Sequence, residues 1–293
     1  MASKLNRRSA IKDLIAGTVT LAAGSSLTSF TTLKMESVAL KGNINHSVCR
    51  WCYNECSVEE LCAAAKKIGI KGIDLVGPKD WPTLKKYGLD SPMCNGAEIS
   101  LTQGFNNKKY HETLVKNYSE MIPLVAKAGY TNLICFSGSR EGMDNETGWN
   151  NCVEGLKKVI GLAEKHKVVL VMELLNSKVN HKDYQCDRTS WGAELAKRLG
   201  SENFKLLYDI YHMQIDEGDI IRNITDYHQY INHYHTGGVP GRNEIDDTQE
   251  LYYPAIMRAI LKTGFKGYVA QEFIPLKKDK LASLKNAIEI CDV

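Results

Sequence analysis

The sequence lacks two features that would assign it to common classes of protein. No phosphate-binding Gly-x-Gly-x-x-Gly motif lies near the first predicted strand, which argues against an open, doubly wound nucleotide-binding sheet. No run of about 20 strongly apolar residues occurs, so a stable membrane span is not expected. The composition is otherwise that of a globular protein, with 43% hydrophobic and 24% charged residues in a chain of 293.

The beginning of the chain differs from the rest. A basic start containing the segment 7–12 (RRSAIK) precedes a weakly apolar run, rich in Ala, Gly, Ser and Thr, over residues 14–30. This order is typical of a secretory signal, and the basic segment is similar to the twin-arginine export motif. We therefore expect residues 1–30 to direct export to a periplasm, whereas a non-functional leader would leave the protein in the cytoplasm.

The charge balance argues against a nucleic-acid partner. The formal net charge of the chain is +3. The first 30 residues contain four basic side chains and Asp13, a net +3, so the remainder is close to neutral. A protein without excess positive charge is poorly suited to neutralising a phosphate backbone.

The cysteines do not form a recognisable metal motif. The chain has nine cysteines, an odd number, so at least one must stay free or bridge another chain. Cys49, Cys52 and Cys56 are close in sequence, but no second Cys pair or His pair completes a four-ligand zinc set. We interpret these three as packing residues.

From residue 43 onward, short β-rich runs alternate with amphipathic helical stretches. The predicted strands cover residues 43–48, 71–76, 93–100, 132–136, 168–174, 205–208, 231–235 and 267–273. The predicted helices cover residues 58–68, 108–128, 146–166, 190–199, 219–230, 252–263 and 281–291. This alternation continues without a linker, and it predicts a single α/β domain, a (β/α)8 TIM barrel over residues 43–293.

Polar side chains stand where four consecutive predicted strands end. They are Glu173, Asp209, His235 and Glu272. Because the active site of a (β/α)8 barrel gathers at the carboxyl ends of its strands, we expect these side chains to converge. Three converging carboxylates would repel one another unless a cation lies between them. The four residues therefore predict one divalent metal ion; the donor set favours Mn²⁺, Mg²⁺ or Co²⁺ and tolerates Zn²⁺.

Several segments of the second half carry a family resemblance. They are residues 173–176 (ELLN), 208–214 (YDIYHMQ), 239–242 (VPGR) and 271–273 (QEF). They resemble the xylose-isomerase-like TIM barrel superfamily, nearest to its hydroxypyruvate isomerase branch and then to its ketose 3-epimerases. By position, the resemblance implies that Glu173, Asp209, His235 and Glu272 bind a metal. It also implies that His212 and Arg242 contact the substrate.

The resemblance and the metal ligands together predict an isomerase or epimerase of a small keto sugar or sugar acid. We expect Glu173 and Glu272 to move protons through a metal-bound cis-enediolate. Return of the proton to the adjacent carbon is isomerisation, and delivery to the opposite face is epimerisation. The alternatives are an inosose-type polyol dehydratase on the same barrel and a non-catalytic sugar-binding protein. The expected binding partner is a small sugar or sugar acid, and self-association into a homo-oligomer is a second expectation.

Further residues are candidates for substrate contact. Asn176 lies just beyond the strand that ends at Glu173, and His46 lies in the first predicted strand. Trp51, shortly after that strand, offers an aromatic face suited to packing on sugar C–H surfaces. We predict substrate binding by His212, Arg242, Asn176 and His46.

Overall fold

The protein was analysed as a computed structural model that describes residues 39–293. The strands are β1 (Asn45–Cys49), β2 (Gly72–Asp74), β3 (Asn132–Cys135), β4 (Val169–Glu173), β5 (Phe204–Asp209), β6 (Ile231–Thr236) and β7 (Tyr268–Gln271). The α-helices are α1 (Val58–Ile68), α2 (Trp81–Lys86), α3 (His111–Ala128), α4 (Asn145–His166), α5 (Thr189–Leu199), α6 (Ile210–Asp216), α7 (Ile220–Tyr227), α8 (Tyr253–Lys262) and α9 (Lys280–Cys291).

The strands form one parallel sheet in the order β2-β1-β7-β6-β5-β4-β3. The gap between β2 and β3 is closed by residues 90–95. In this segment Cys94 bridges Val76 on one side and Leu133 on the other. The sheet therefore curls into a closed barrel with the helices outside, and the predicted (β/α)8 fold is confirmed.

The predicted strand over residues 93–100 is wrong in its bounds. The structure has only isolated bridges at Asp90 and Cys94, and the chain from residue 95 runs as a loop across the barrel mouth. Pro92 has no backbone N–H, and Gly96 adopts a left-handed φ of 111°, so a regular ladder cannot extend in either direction. The eighth position of the barrel is filled by this short irregular segment.

Local sequence signals explain the elements that were predicted well. Helix α1 begins at a capping box in which Ser57 and Glu60 satisfy each other's backbone N–H groups. It ends at Gly69, which has the left-handed φ of 95° that terminates helices. Strand β4 is a continuous apolar run because a barrel strand is covered on both faces.

Two short helices were not predicted. Helix α2 follows β2, and α6 begins immediately after Asp209, whose side chain accepts a hydrogen bond from the His212 backbone N–H. Both are of eight residues or fewer, too short to show a helical period in the sequence. Helix α6 matters for the site because it fixes the backbone around His212.

Three other sequence expectations bear on the described part of the chain. The export signal predicted for residues 1–30 lies outside the described residues and stays a prediction. Among residues 39–293, no helix is long and apolar enough to cross a membrane. All nine cysteines are free and all but Cys56 are buried, consistent with a packing role.

Candidate active site

The four predicted metal-ligand residues converge at the carboxyl ends of adjacent strands. Glu173 and Asp209 end β4 and β5, His235 lies one residue before the end of β6, and Glu272 directly follows β7. All four side chains are buried, and one ligand atom from each lies within 4.8 Å of every other. Parallel strands of a barrel expose their ends at one rim, so residues far apart in sequence meet there.

Glu272 is the most heavily hydrogen-bonded member of this cluster. Its Oε1 accepts a hydrogen bond from Trp51 Nε1 at 2.7 Å. Its Oε2 accepts from Arg242 Nη2 at 2.5 Å and lies 2.7 Å from His235 Nδ1. In contrast, Oε1 of Glu173 is buried without a hydrogen-bond partner among the described residues. The two glutamates of the cluster therefore differ in hydrogen bonding: both carboxylate oxygens of Glu272 have partners, whereas Oε1 of Glu173 has none within residues 39–293.

Arg242 supplies positive charge to the cluster. Its Nη2 donates to Asp209 Oδ2 at 3.2 Å as well as to Glu272. The guanidinium lies over the rings of Trp51 and Tyr211, at 5.1 and 5.4 Å from their centroids. Stacking on aromatic rings while bridging two carboxylates suits the planar guanidinium of Arg better than the ammonium of Lys.

The loop carrying Arg242 holds an unfavourable backbone conformation. Arg242 has a φ of 60°, a left-handed value that is uncommon for a residue with a Cβ. Its backbone N–H bonds to Gly238, and its carbonyl accepts from Ile274 beyond β7. A side chain at Gly238 would collide with the backbone of Glu244. The backbone of this loop is therefore strained at Arg242, in the conformation that brings the guanidinium into contact with the carboxylates.

These environments shift the pKa values of the cluster in different directions. Burial would raise the pKa of Glu272, but Arg242 and His235 reverse it and hold it well below its ordinary value. Burial, followed by the charge of Glu272, raises the pKa of Glu173. Burial raises the pKa of Asp209 to about 8 despite the opposing Arg242. The neighbouring anions outweigh burial at His235 and raise its pKa.

These shifts predict how the stability of the metal-free protein depends on pH. An unfolded chain releases the Asp209 proton near 3.8, whereas the folded protein holds it until about 8. The raised pKa of His235 means that the folded protein also keeps a proton that the unfolded chain loses above its ordinary value of 6.5. Since the folded state binds more protons, its unfolding free energy is expected to fall by about 1 kcal/mol or more from pH 7 to pH 8.

Urea unfolding in the presence of a chelator, at both ends of that pH interval, measures the effect. Asp209→Asn is the informative variant because it removes one of the two groups, and its slope should be shallower than that of the wild type. Stability that rises with pH across the interval would contradict the assignment of bound protons.

His212 and Asn176 lie one layer behind the cavity wall. Asn176 Oδ1 accepts from the backbone N–H groups of Val179 and Asn180, which fixes the orientation of its amide. Its Nδ2 then donates to His212 Nδ1 at 2.6 Å and to the Asn180 side chain. Asn176 therefore has no hydrogen-bonding capacity left for a substrate, and its contacts are those of a group that orients His212.

The arrangement defines the tautomer of His212. Because Nδ1 accepts from Asn176, the proton is on Nε2, which is buried without a hydrogen-bond partner among the described residues. Nε2 lies 3.7 Å from Asp209 Oδ2. Burial, and then Arg242, lowers the pKa of His212 well below its ordinary value, so the ring is neutral.

A cavity of about 540 Å³ opens above the cluster. Its polar lining includes Trp51, Glu98, His181 and Arg242, together with Glu173 and Glu272 from the cluster. Its apolar lining consists of Leu75, Ile99, Leu101, Ile134, Phe136 and Leu175. This size and mixture are typical of small-molecule sites. The sequence analysis did not predict His181, which lies in the loop after β4, because no motif or strand end marks it.

His46 is not brought to the site. It lies near the amino end of β1, and its Nε2 is 3.8 Å from Asp292 close to the chain terminus. Burial lowers the pKa of His46 to about 4, so it is neutral at physiological pH. The structure therefore gives it the surroundings of a core residue, because β1 continues for three residues beyond His46 to Cys49 before it reaches the rim.

Three buried residues beneath the cluster were missed by the sequence analysis. Asp74 Oδ2 lies 2.5 Å from His233 Nε2 and 3.5 Å from His235 Nε2. Cys49 Sγ lies 3.7 Å from the same His235 nitrogen. Burial would raise the pKa of Asp74, but the two histidines more than reverse this and lower it. The strand-end rule did not reach Asp74, because the predicted strand 71–76 runs past the observed end of β2. His233 could have been found, since it shares a strand face with His235.

Comparisons with known proteins show which sequences and structures this chain is similar to. Hydroxypyruvate isomerase of Escherichia coli K12 is 28% identical over 151 residues, covering 50% of this chain and 57% of the relative. D-psicose 3-epimerase of Ruminiclostridium cellulolyticum is 29% identical over 134 residues, covering 44% of this chain and 43% of the relative. The matched part thus spans about half the length of these relatives.

The fold is also that of solved structures. The structure of an AP endonuclease, family 2, from Brucella melitensis superposes with a TM-score of 0.73 at 22% identity, covering 82% of this chain and 97% of that one. An identity this low reports the fold alone. The family model described as "Xylose isomerase-like TIM barrel" matches residues 62–290, most of the chain. The protein belongs to the xylose isomerase-like TIM barrel family.

Proposed function

We propose that the protein is a metal-dependent isomerase or epimerase acting on a small keto sugar or sugar acid by proton transfer. The observation that carries the proposal is the convergence of Glu173, Asp209, His235 and Glu272 beside a cavity of about 540 Å³, with Glu173 and Glu272 in its lining. The named relatives, a hydroxypyruvate isomerase and a D-psicose 3-epimerase, support the same reaction class.

The donor set fits a divalent cation. Three buried carboxylates face one another, and the unpartnered Oε1 of Glu173 has a lone pair directed into the cluster. Glu173, Asp209, His235 and Glu272 would hold the ion. Bound there, the cation would polarise a substrate carbonyl and acidify the adjoining C–H. It would also relieve the repulsion between the carboxylates.

The two glutamates divide the proton transfers between them. Glu272, with its low pKa and three donors, is ionised and suited to remove the proton next to the substrate carbonyl. Glu173, with its raised pKa, holds a proton more readily and is suited to deliver one. Delivery to the opposite face of the same carbon gives epimerisation, and return to the adjacent carbon gives isomerisation.

Other residues bind and orient the substrate. Arg242 and Trp51 stand at the polar end of the cavity, where a guanidinium can donate to substrate oxygens and an indole can pack on C–H surfaces. The neutral His181 is on the wall. His212 is not in the cavity lining; its Nε2 lies 3.7 Å from Asp209 Oδ2, close enough for the N–H dipole to favour the ionised carboxylate. Its predicted direct contact with substrate would require the ring to become exposed.

The test is a panel of ketoses and keto acids incubated with the protein, Mn²⁺ and heavy water. One deuterium is expected at a single substrate carbon for each product molecule formed, because the abstracted proton exchanges with solvent. Mass spectrometry and NMR locate the label, and a chelated sample serves as control.

Three other outcomes of this experiment would contradict the proposed proton transfer. Product without label indicates a hydride shift between carbons. Loss of water from a cyclic polyol indicates a dehydratase. Binding without turnover across the panel, with Mn²⁺ present, indicates a sugar-binding protein.

A further inference from the structure

Beneath the proposed metal ligands lies a second buried cluster that the catalytic proposal does not use. Asp74 ends β2 and reaches two histidines of β6, His233 and His235, which stand two residues apart on the same face of the strand. All three side chains are fully buried. Only His235 belongs to both clusters, and its two ring nitrogens face in different directions.

The two nitrogens of His235 have distinct surroundings. Nδ1 lies 2.7 Å from Glu272 Oε2 and 3.3 Å from Glu173 Oε1, on the side of the cavity. Nε2 lies 3.5 Å from Asp74 Oδ2 and 3.7 Å from Cys49 Sγ, on the side of the barrel interior. Without a cation, the nearer carboxylates would hold a proton on Nδ1. A cation bound by Glu173 and Glu272 would displace that proton, and the Asp74 carboxylate beside Nε2 would then favour the tautomer with its proton there, which leaves the lone pair of Nδ1 for the metal.

We infer that Asp74 is a positioning residue for the reaction: it holds the proton of His235 on Nε2 and thereby presents Nδ1 as the ligand atom. This inference rests on the metal role proposed above for His235. His233 is the other close neighbour of Asp74, with its Nε2 at 2.5 Å from the same carboxylate oxygen.

The lower cluster is tighter than a metal site normally is. Asp74 Oδ2 and His233 Nε2 are 2.5 Å apart. Two ligand atoms bonded to one ion at roughly 2.0–2.2 Å each normally lie about 3 Å or more from one another. A close carboxylate–imidazole contact accounts for the geometry without an ion.

The first experiment needs no variant. The protein is labelled with ¹⁵N-histidine and loaded with Zn²⁺, which is diamagnetic, and the imidazole nitrogens are observed by NMR. We expect His235 to be protonated at Nε2 and metal-bound at Nδ1, with the His235→Gln spectrum giving the assignment. Metal bound at Nε2 would overturn the inference.

The second experiment measures Zn²⁺ affinity by competition with a chelating dye. Asp74→Asn is expected to weaken binding about 10–100-fold, the usual effect of losing an outer partner of a ligating histidine, with loss of the protected Nε2 proton. Asp187→Asn, a buried acid paired with Arg140 elsewhere, is the matched control and should change affinity less than about threefold.

His233→Gln separates the two partners of Asp74. It should weaken Zn²⁺ binding less than Asp74→Asn does; an equal loss would show that Asp74 acts through packing around His233 and would overturn the inference. Two equivalents of bound Zn²⁺, with one lost in His233→Gln, would also overturn it. Because neither measurement needs turnover, a failure of the proposed reaction in heavy water remains distinguishable from a failure here.

Discussion

Replacing Glu272 by Gln is expected to lower kcat by about 10³-fold while the protein stays folded, within the range that a positioned general base contributes. The amide keeps the shape of the side chain and can still accept from Trp51 Nε1. It cannot take up a proton from carbon. Steady-state kinetics at saturating Mn²⁺ measures the loss, and circular dichroism checks the fold.

A matched control is Glu217→Gln. Glu217 is also partly buried, and its carboxylate accepts from Thr189 outside the cluster, so its replacement should leave kcat within a few-fold of the wild type. Near-normal turnover by the Glu272→Gln variant would remove Glu272 from the role of base. A loss seen only below saturating Mn²⁺ would reduce its role to that of a metal ligand.

Replacing Arg242 by Met is expected to destabilise the metal-free protein by about 3–5 kcal/mol, the cost of leaving the buried charge of Glu272 without this partner. Asp209 and Glu272 would lose the guanidinium that contacts both of them. Mn²⁺ supplies positive charge to the same carboxylates, so saturating metal should restore much of the lost unfolding free energy. Urea unfolding with chelator and with Mn²⁺ measures both quantities.

Arg222→Met provides the comparison. Arg222 pairs with Asp219 on the surface, with 72% of its side chain exposed. An exposed pair contributes about 0–1 kcal/mol, and metal should not change the result. If Arg242→Met and Arg222→Met destabilise the metal-free protein equally, the buried carboxylates do not depend on Arg242 for compensation.

The strand ends were predictable because a barrel repeats one simple unit. Apolar runs such as the one that ends at Glu173 mark buried strands, and the residue at which each run stops marks the rim. The same rule located Asp209, His235 and Glu272 from residues far apart in the chain. This rule requires no knowledge of side-chain contacts; it uses only the position in the sequence at which each apolar run ends.

The rule fails where the barrel is irregular. The segment over residues 93–100 has β-like composition, but Pro92 and Gly96 prevent a regular ladder, and the strand is reduced to bridges. His46 lies in a strand as predicted but near its opposite end. Asn176 has a plausible position after β4, yet its amide is fully committed to neighbours. The position of a residue in a strand or helix does not show which of its polar atoms remain free to bind a substrate.

By itself, the sequence determined the barrel and the identity of the four side chains at its rim, because periodic burial and chain connectivity are local properties. Only the tertiary structure decided that Arg242 contacts two of those carboxylates. It also decided that Asn176 orients the His212 ring through a hydrogen bond, and that Asp74 lies beside His235 Nε2. These are contacts between loops and strands that share no sequence spacing, and their energies depend on distances of a few ångströms within a buried, weakly screening interior.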